Sequence, residues 1–169
     1  MISKKLAKMI NEQINWEFYS EHYYLAMAAY LAELNLDGFS NFFIVQAQEE
    51  HFHAMKFYSY LLDRGSAVEL QAIDNPSKRE FSSPVDVFEA ALEHEKFVTS
   101  NINNLMDAAI KDNDHASSSF LKWYIDEQVE EEASMEKYVN KLKLIGGTGA
   151  VLLMLDNEFA TRVFNPPVV

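Results

Sequence analysis

Cysteine is missing altogether from the 169 residues. Its absence excludes a disulfide framework, thiolate-held zinc or iron–sulfur sites and a thiol nucleophile, and it fits a reducing cytoplasm. Glycine and proline are scarce, five and four in the chain, and most stand between stretches of helical periodicity, where they punctuate long helices. Positive charge is also short: 14 Lys and Arg against 26 Asp and Glu leave a formal charge of -12. Nucleic acid and anionic membrane are therefore poor partners, and cations natural ones. The longest hydrophobic run, around Ala150 to Leu155, falls far short of the roughly 20 residues that cross a bilayer as a helix. The amino terminus, MISKKLAKMINEQINWEF, interleaves charge with apolar residues and offers no small-residue cleavage site. Neither a glycine-rich nucleotide fingerprint nor a Gly-x-Ser-x-Gly elbow occurs. A soluble, unsecreted, single-domain chain is expected.

What is present is helical pattern almost from end to end. Four long helices are expected: about Ser3 to Leu34, after Asp37-Gly38 to Arg64-Gly65, Ser83-Pro84 to about Lys111, and about Ala116 to Ile145, stopped by Gly146-Gly147. A shorter fifth covers about Thr148 to Arg162. Tight turns join the first helix to the second and the third to the fourth. The remaining connection, Gly65 to Ser82, is long enough to reach roughly 60 Å when extended, against helices of roughly 42 to 48 Å. It spans the bundle, so the helices run up, down, down, up. Residues 1–145 are expected to form the bundle, with 146–169 a short terminal helix and tail of the same domain. The apolar residues of that helix, Val151, Leu152, Leu153, Met154, Leu155, Phe159 and Val163, exceed what one amphipathic face buries and predict an oligomer interface.

Read at steps of three and four, each long helix shows an inward stripe broken by polar residues at its middle. The first gives Leu6, Ile10, Gln13, Glu17, Ser20, Tyr24, Met27 and Leu31; the second Phe43, Ala47, Glu50, Ala54, Phe57 and Leu61. The third gives Phe88, Ala91, Glu95, Val98, Ile102, Leu105 and Ala109; the fourth Leu121, Tyr124, Gln128, Glu131, Met135, Tyr138, Leu142 and Ile145. At about 1.5 Å per residue the glutamates fall near every helix midpoint and should converge in one layer. An ionised carboxylate taken from water costs several kcal/mol, so four unpaired ones would consume most of a small domain's stability. No Lys or Arg stands at the central stripe positions, whereas two divalent cations match four glutamates. His53 follows Glu50 by three residues and adds a nitrogen donor on the same face. A dinuclear metal site results, and its carboxylate-rich donor set suits Fe, Mn or Mg better than structural zinc.

The elements NWEFYSEHYYLA with Glu17, QAQEEHFH with Glu50 and His53, LEHEKFVTSNINNL with Glu95, and FLKWYIDEQVEEE with Gln128 and Glu131 together resemble the bacterial non-haem ferritins. That resemblance implies an all-α, ferritin-like four-helix bundle with one long crossover and a short fifth C-terminal helix, storing iron and oxidising Fe²⁺ with O₂ or peroxide. It implies one iron on Glu17, Glu50 and His53, a second on Glu50, Glu95 and Glu131 with Glu50 bridging, and Gln128 lining the pocket. A third iron nearby would take Glu49, Glu127, Glu130 and Glu131, and Tyr24 would stand beside the centre as an electron donor. By position alone Glu49, Glu127 and Glu130 are equally well read as solvated glutamates, and Tyr24 as a core tyrosine. A cytoplasmic homo-oligomer, a shell of 24 subunits with the fifth helix at its fourfold axes, is the implied assembly.

The fourth helix has no histidine beside Gln128 and Glu131, unlike two-histidine relatives on the same bundle, and His51 stands where a haem-ligating methionine would follow Glu50. No haem is expected. His22, His51, His94 and His115 lie off the stripes and are assigned to the surface, while Asp112, Asp114 and His115 at the third turn are candidates to line an iron channel. Two rivals remain at this point: an oxidase of an organic substrate on the same bundle, and a helical scaffold that only buffers metal.

Overall fold

Three of the four long helices begin at a side-chain cap supplied by a residue next to them in sequence. In the computed structural model, which describes residues 2–146 and 149–166, α1 runs Lys4–Glu33, α2 Asp37–Asp63, α3 Pro84–Lys111, α4 His115–Leu144 and α5 Ala150–Phe159. Ser3 caps α1 by accepting from Leu6 N, Ser83 caps α3 by accepting from Asp86 N with Pro84 following, and Asp114 caps α4 by accepting from Ser117 N. Asn35, Gly65, Asn113 and Gly146 follow the helix ends in the left-handed region, with φ of 59, 69, 52 and 66°. At the first three, an amide beyond that residue reaches back to close the last turn: Leu36 N to Leu31 O, Ser66 N to Leu61 O and Asp114 N to Ala109 O.

The expected boundaries hold for the long helices to within a residue or two. The fifth differs: it ends at Phe159 rather than Arg162, because Asn41 Nδ2 on α2 takes both Phe159 O, at 3.0 Å, and Arg162 O, at 2.9 Å. Its expected start at Thr148, the stop at Gly147, Met1 and the tail 167–169 lie outside the described residues.

The helix directions follow from contacts at the ends. Ala67 O and Glu69 N, early in the crossover, bond Asn11 near the start of α1, and Ser77 N reaches Tyr19 farther along it. Phe81, at the end of the crossover, packs on Tyr30 near the end of α1, and Ser3 Oγ donates to Asp112 Oδ2 at 2.5 Å. Thus α3 starts where α1 ends, and the order is up, down, down, up. Pairs α1–α2 and α3–α4 pack side by side, α1 meets α3, and α5 lies on α2.

All residues of the four stripes are buried except Tyr138 and Ile145, which are partly so. They form two apolar clusters rather than one. The first gathers Leu6, Ile10, Ile14, Phe57, Leu61, Ile102 and Tyr124, and the second Tyr24, Met27, Phe39, Phe43, Phe88, Met135 and Phe159. Gln13, Glu17, Glu50, His53, Glu95, Gln128 and Glu131, all buried, belong to neither. They make the polar layer between the clusters.

Candidate metal centre

Among the described residues, Glu17 from α1 and Glu50 and His53 from α2 present one ligand atom each within 4.8 Å of one another. The i, i+3 spacing on α2 puts His53 Nδ1 3.4 Å from Glu50 Oε2, and Tyr124 OH donates to His53 O at 2.9 Å, tying this turn of α2 to α4. Gln13, one turn before Glu17, donates to Glu17 Oε1 at 2.9 Å. Glu17 Oε2 is buried with no hydrogen-bond partner. An orphaned carboxylate oxygen of this kind is rare in a folded core and fits a cation ligand.

Glu95 and Glu131 complete the layer from α3 and α4 but stand outside that close triad. Tyr24 OH donates to Glu95 Oε1, and Gln128 Nε2 donates to Glu95 Oε2 at 3.1 Å. Gln46 Nε2 holds Glu131 Oε2 at 3.0 Å. Burial raises the pKa of all four glutamates of the layer. It carries Glu95 to about 7 and, with Glu95 and Glu49 adding repulsion, Glu131 to about 8. Glu17 is raised by burial against the attraction of His53. Glu50 is pushed well above the usual carboxylate range by burial and then by Glu95, Glu17 and Glu131 together. Burial and Glu95 likewise keep Tyr24 a protonated phenol.

Glu49, Glu127, Glu130 and Glu131 line a neighbouring cavity of about 280 Å³ with Phe42, Gln46, Ser134, Tyr138 and Arg162. Glu49 and Glu127 are half-buried and Glu130 is exposed. Burial raises Glu49 despite the Arg162 charge beside it, and raises Glu127 despite His53. His53 Nε2 lies 3.9 Å from Glu127 Oε1, too far for a hydrogen bond. The structure therefore brings all ten candidate residues into one layer and its annex.

One expectation fails. His94 is not at the surface: it is 8% exposed, its Nε2 2.7 Å from Ser20 Oγ, with Tyr19, Tyr23 and Tyr24 around its ring. The tyrosines of α1 widen the buried arc of α3 beyond its stripe, and burial takes the imidazole down to about 4, so it is neutral. Asp114 at the third turn pairs with Arg64 at 2.8 Å while capping α4. His22, His51 and His115 are exposed, as expected. Gln46 and Arg162 were not singled out by sequence. Gln46 lies one turn before Glu50 and was legible in principle, whereas Arg162 reaches Glu49 only through the fold.

A family model described as a ferritin-like domain matches residues 7–145. The chain is 44% identical to the bacterial non-heme ferritin of Staphylococcus aureus strain MRSA252 over 165 residues, covering 98% of this chain and 99% of that relative. It is 46% identical to that of Staphylococcus saprophyticus, covering 98% of each. Among solved structures, the open pore ferritin of Archaeoglobus fulgidus superposes with a TM-score of 0.94 at 46% identity, covering 96% of this chain and 98% of that one. A closed form of the same ferritin, engineered by site-directed mutagenesis, superposes at 0.95 and 46%, covering 98% and 100%.

Proposed function

This chain belongs to the ferritin family, iron-storing ferroxidases, and we propose that its ferroxidase centre is the polar layer of Glu17, Glu50, His53, Glu95, Gln128 and Glu131. The observation that carries the reading is the buried triad of Glu17, Glu50 and His53, one ligand atom of each within 4.8 Å of the others, with Glu17 Oε2 left without a partner. Glu50, repelled by the other buried glutamates, is placed to bridge two cations, whose charge offsets that repulsion. Glu17 and His53 would hold one Fe²⁺ with Glu50, and Glu95 and Glu131 the second.

Each Fe²⁺ gives up one electron, and O₂ takes both with two protons to the level of hydrogen peroxide. Hard oxygen donors stabilise Fe³⁺ over Fe²⁺, which drives that transfer without an organic cofactor. The residues around the layer set its geometry: Gln13 orients Glu17, Gln128 orients Glu95 and Gln46 orients Glu131. Tyr24, its hydroxyl on Glu95, is placed to supply a further electron and proton. Glu49, Glu127, Glu130 and Glu131 would hold a third iron in the adjoining cavity, on the way from the centre to the mineral.

The domain assignment is part of this reading: 1–145 as the bundle, and 146–169 as a terminal helix and tail at an interface between copies. Support comes from α5, which buries Leu155 and Phe159 on its own bundle and leaves Val151, Leu153 and Met154 exposed. A hollow shell of 24 subunits is the assembly we propose, with the cytoplasm, whose reducing state maintains Fe²⁺, as its location. No helix among the described residues is long and apolar enough to cross a membrane. An organic-substrate oxidase is disfavoured because the cavity opening on Glu131 carries four carboxylates and one guanidinium, a lining that suits a cation.

Metal-free protein mixed with a small excess of Fe²⁺ in air should show fast growth of ferric absorbance, lost in Glu50→Ala and His53→Ala, in a large particle that retains the iron. Equal oxidation by wild type and variants would sink the centre assignment, and absence of a large particle would sink storage.

A further inference from the structure

Resting on the three-iron reading above, we propose that Arg162 is a built-in counter-cation of the annex cavity, which occupies Glu49 in the iron-free protein and must swing away before a third iron binds. Arg162 arrives from the segment after α5. Its Nη2 donates to Glu49 Oε2 at 2.6 Å and to Gln46 Oε1, its Nη1 donates to Phe42 O at 3.2 Å, and the guanidinium lies 4.3 Å from the Phe42 ring centroid. It is the one cation among the residues lining the cavity, facing Glu49, Glu127, Glu130 and Glu131.

A metal ion and this guanidinium compete for Glu49 Oε2. A carboxylate oxygen bonds a divalent ion at about 2 Å, and this oxygen already has a guanidinium nitrogen at 2.6 Å. Holding both would set like charges roughly one contact distance apart, where their repulsion is strong. Arginine does not shed its charge to relieve that repulsion, as a lysine or histidine can. It can only move, and the anchoring permits it: Asn41 Nδ2 holds the Arg162 backbone carbonyl at 2.9 Å, separately from the side chain.

The arrangement also ties the annex to the di-iron layer. Gln46 accepts from Arg162 through its oxygen and donates to Glu131 Oε2 at 3.0 Å through its nitrogen. Departure of Arg162 frees Gln46 to turn and releases Glu131, the ligand that the two sites share. Arg162 thus makes the third ion the weakest bound of the three. Coupling of this kind between two occupants of one carboxylate spans roughly 5- to 150-fold in affinity.

Titration calorimetry of the assembled, metal-free protein with Zn²⁺ alone, which is redox-inert, tests this without reference to turnover. Wild type should take two ions per chain tightly and a third more weakly. Arg162→Gln should bind that third ion about tenfold more tightly, and Arg162→Lys, whose charge can be shed under the same repulsion, should fall between wild type and Arg162→Gln. Glu127→Gln, in the same titration, should lose the third event. If the third event vanishes in Glu127→Gln but is unchanged or weaker in Arg162→Gln, the counter-cation role is overturned and the three-iron reading stands. If wild type shows no third event, or one that Glu127→Gln leaves intact, the three-iron reading falls and the role of Arg162 with it.

Discussion

Glu50 shows how much chemistry one position concentrates. Its raised pKa, with Glu95 near 7 and Glu131 near 8, means that the metal-free layer keeps protons at neutral pH that metal must displace. Zn²⁺ loading at pH 6.5 is expected to release more than one proton per chain, and the number should fall as pH passes about 8; titration in buffers of different ionisation heat counts them. The sign for stability follows. Between the ordinary glutamate value of 4.5 and these raised values the folded state binds protons that the unfolded chain does not. The contribution of these glutamates to metal-free stability is therefore full below about 4.5 and is lost as pH rises through 7 to 8. Thermal unfolding in chelator should show a midpoint that drops from pH 5 to pH 8, and a metal-loaded sample should show a smaller drop or none. The candidate ligands themselves were legible in sequence, because a glutamate in the middle of an apolar stripe declares itself. His94 was not, since its burial depends on aromatic residues of another helix.

At the scale of elements, α2 and α5 cap each other. Leu36 offers α2 no side-chain cap, and Asp156 of α5 takes its place by accepting from Phe39 N at 3.0 Å. Asn41 of α2 returns the favour at the end of α5. The approach is close enough that a methyl at Gly38 would lie 1.7 Å from Asp156 O. Gly38→Ala should therefore undock α5 while leaving the four long helices intact, seen as little change in helicity but rapid hydrogen exchange confined to 150–159. Asp114 joins α4 to α2 in a comparable way. Removing it as Asp114→Ala should cost about 1 to 2 kcal/mol through the lost cap, with Asp114→Asn costing less; denaturation midpoints at pH 7 compare them. Arg64 holds the Asp114 carboxyl down to about 2, against an ordinary 3.8. Its contribution is thus present above about 4 and lost as pH falls through 2, a loss that Asp114→Asn should not show. Helix ends were readable from Ser3, Ser83-Pro84 and Gly65. The reciprocal capping was not, because its partners lie more than a hundred residues apart.

For the whole molecule, the charge of -12 and the exposed apolar face of α5 point the same way, toward a closed assembly that concentrates cations. Met154 is 70% and Leu153 56% exposed in the single chain, and side chains of that kind are covered when copies meet. Leu153→Asp with Met154→Asp is expected to reduce the particle to smaller oligomers without unfolding the subunit, measured by sedimentation velocity with circular dichroism as the control. Retention of a full-sized particle would show that the fifth helix does not hold the shell together. The two clusters on either side of the polar layer explain why the subunit tolerates such a centre. Each supplies its own apolar packing, so the layer between them is free to be shaped by ligand chemistry.

Periodicity, caps and the place of glutamates along each stripe are local properties, and the sequence by itself determined from them the four helices, the long crossover, their directions and the buried layer of glutamates. Side chains three and four residues apart share a helix face whatever the rest of the chain does. Only the tertiary structure decided the pairings around that layer: Tyr24 and Gln128 on Glu95, Gln46 on Glu131, His94 against Ser20, and Arg162 on Glu49. Those contacts depend on how one helix is rotated against another and where the chain returns after α5, and no spacing along the sequence encodes either.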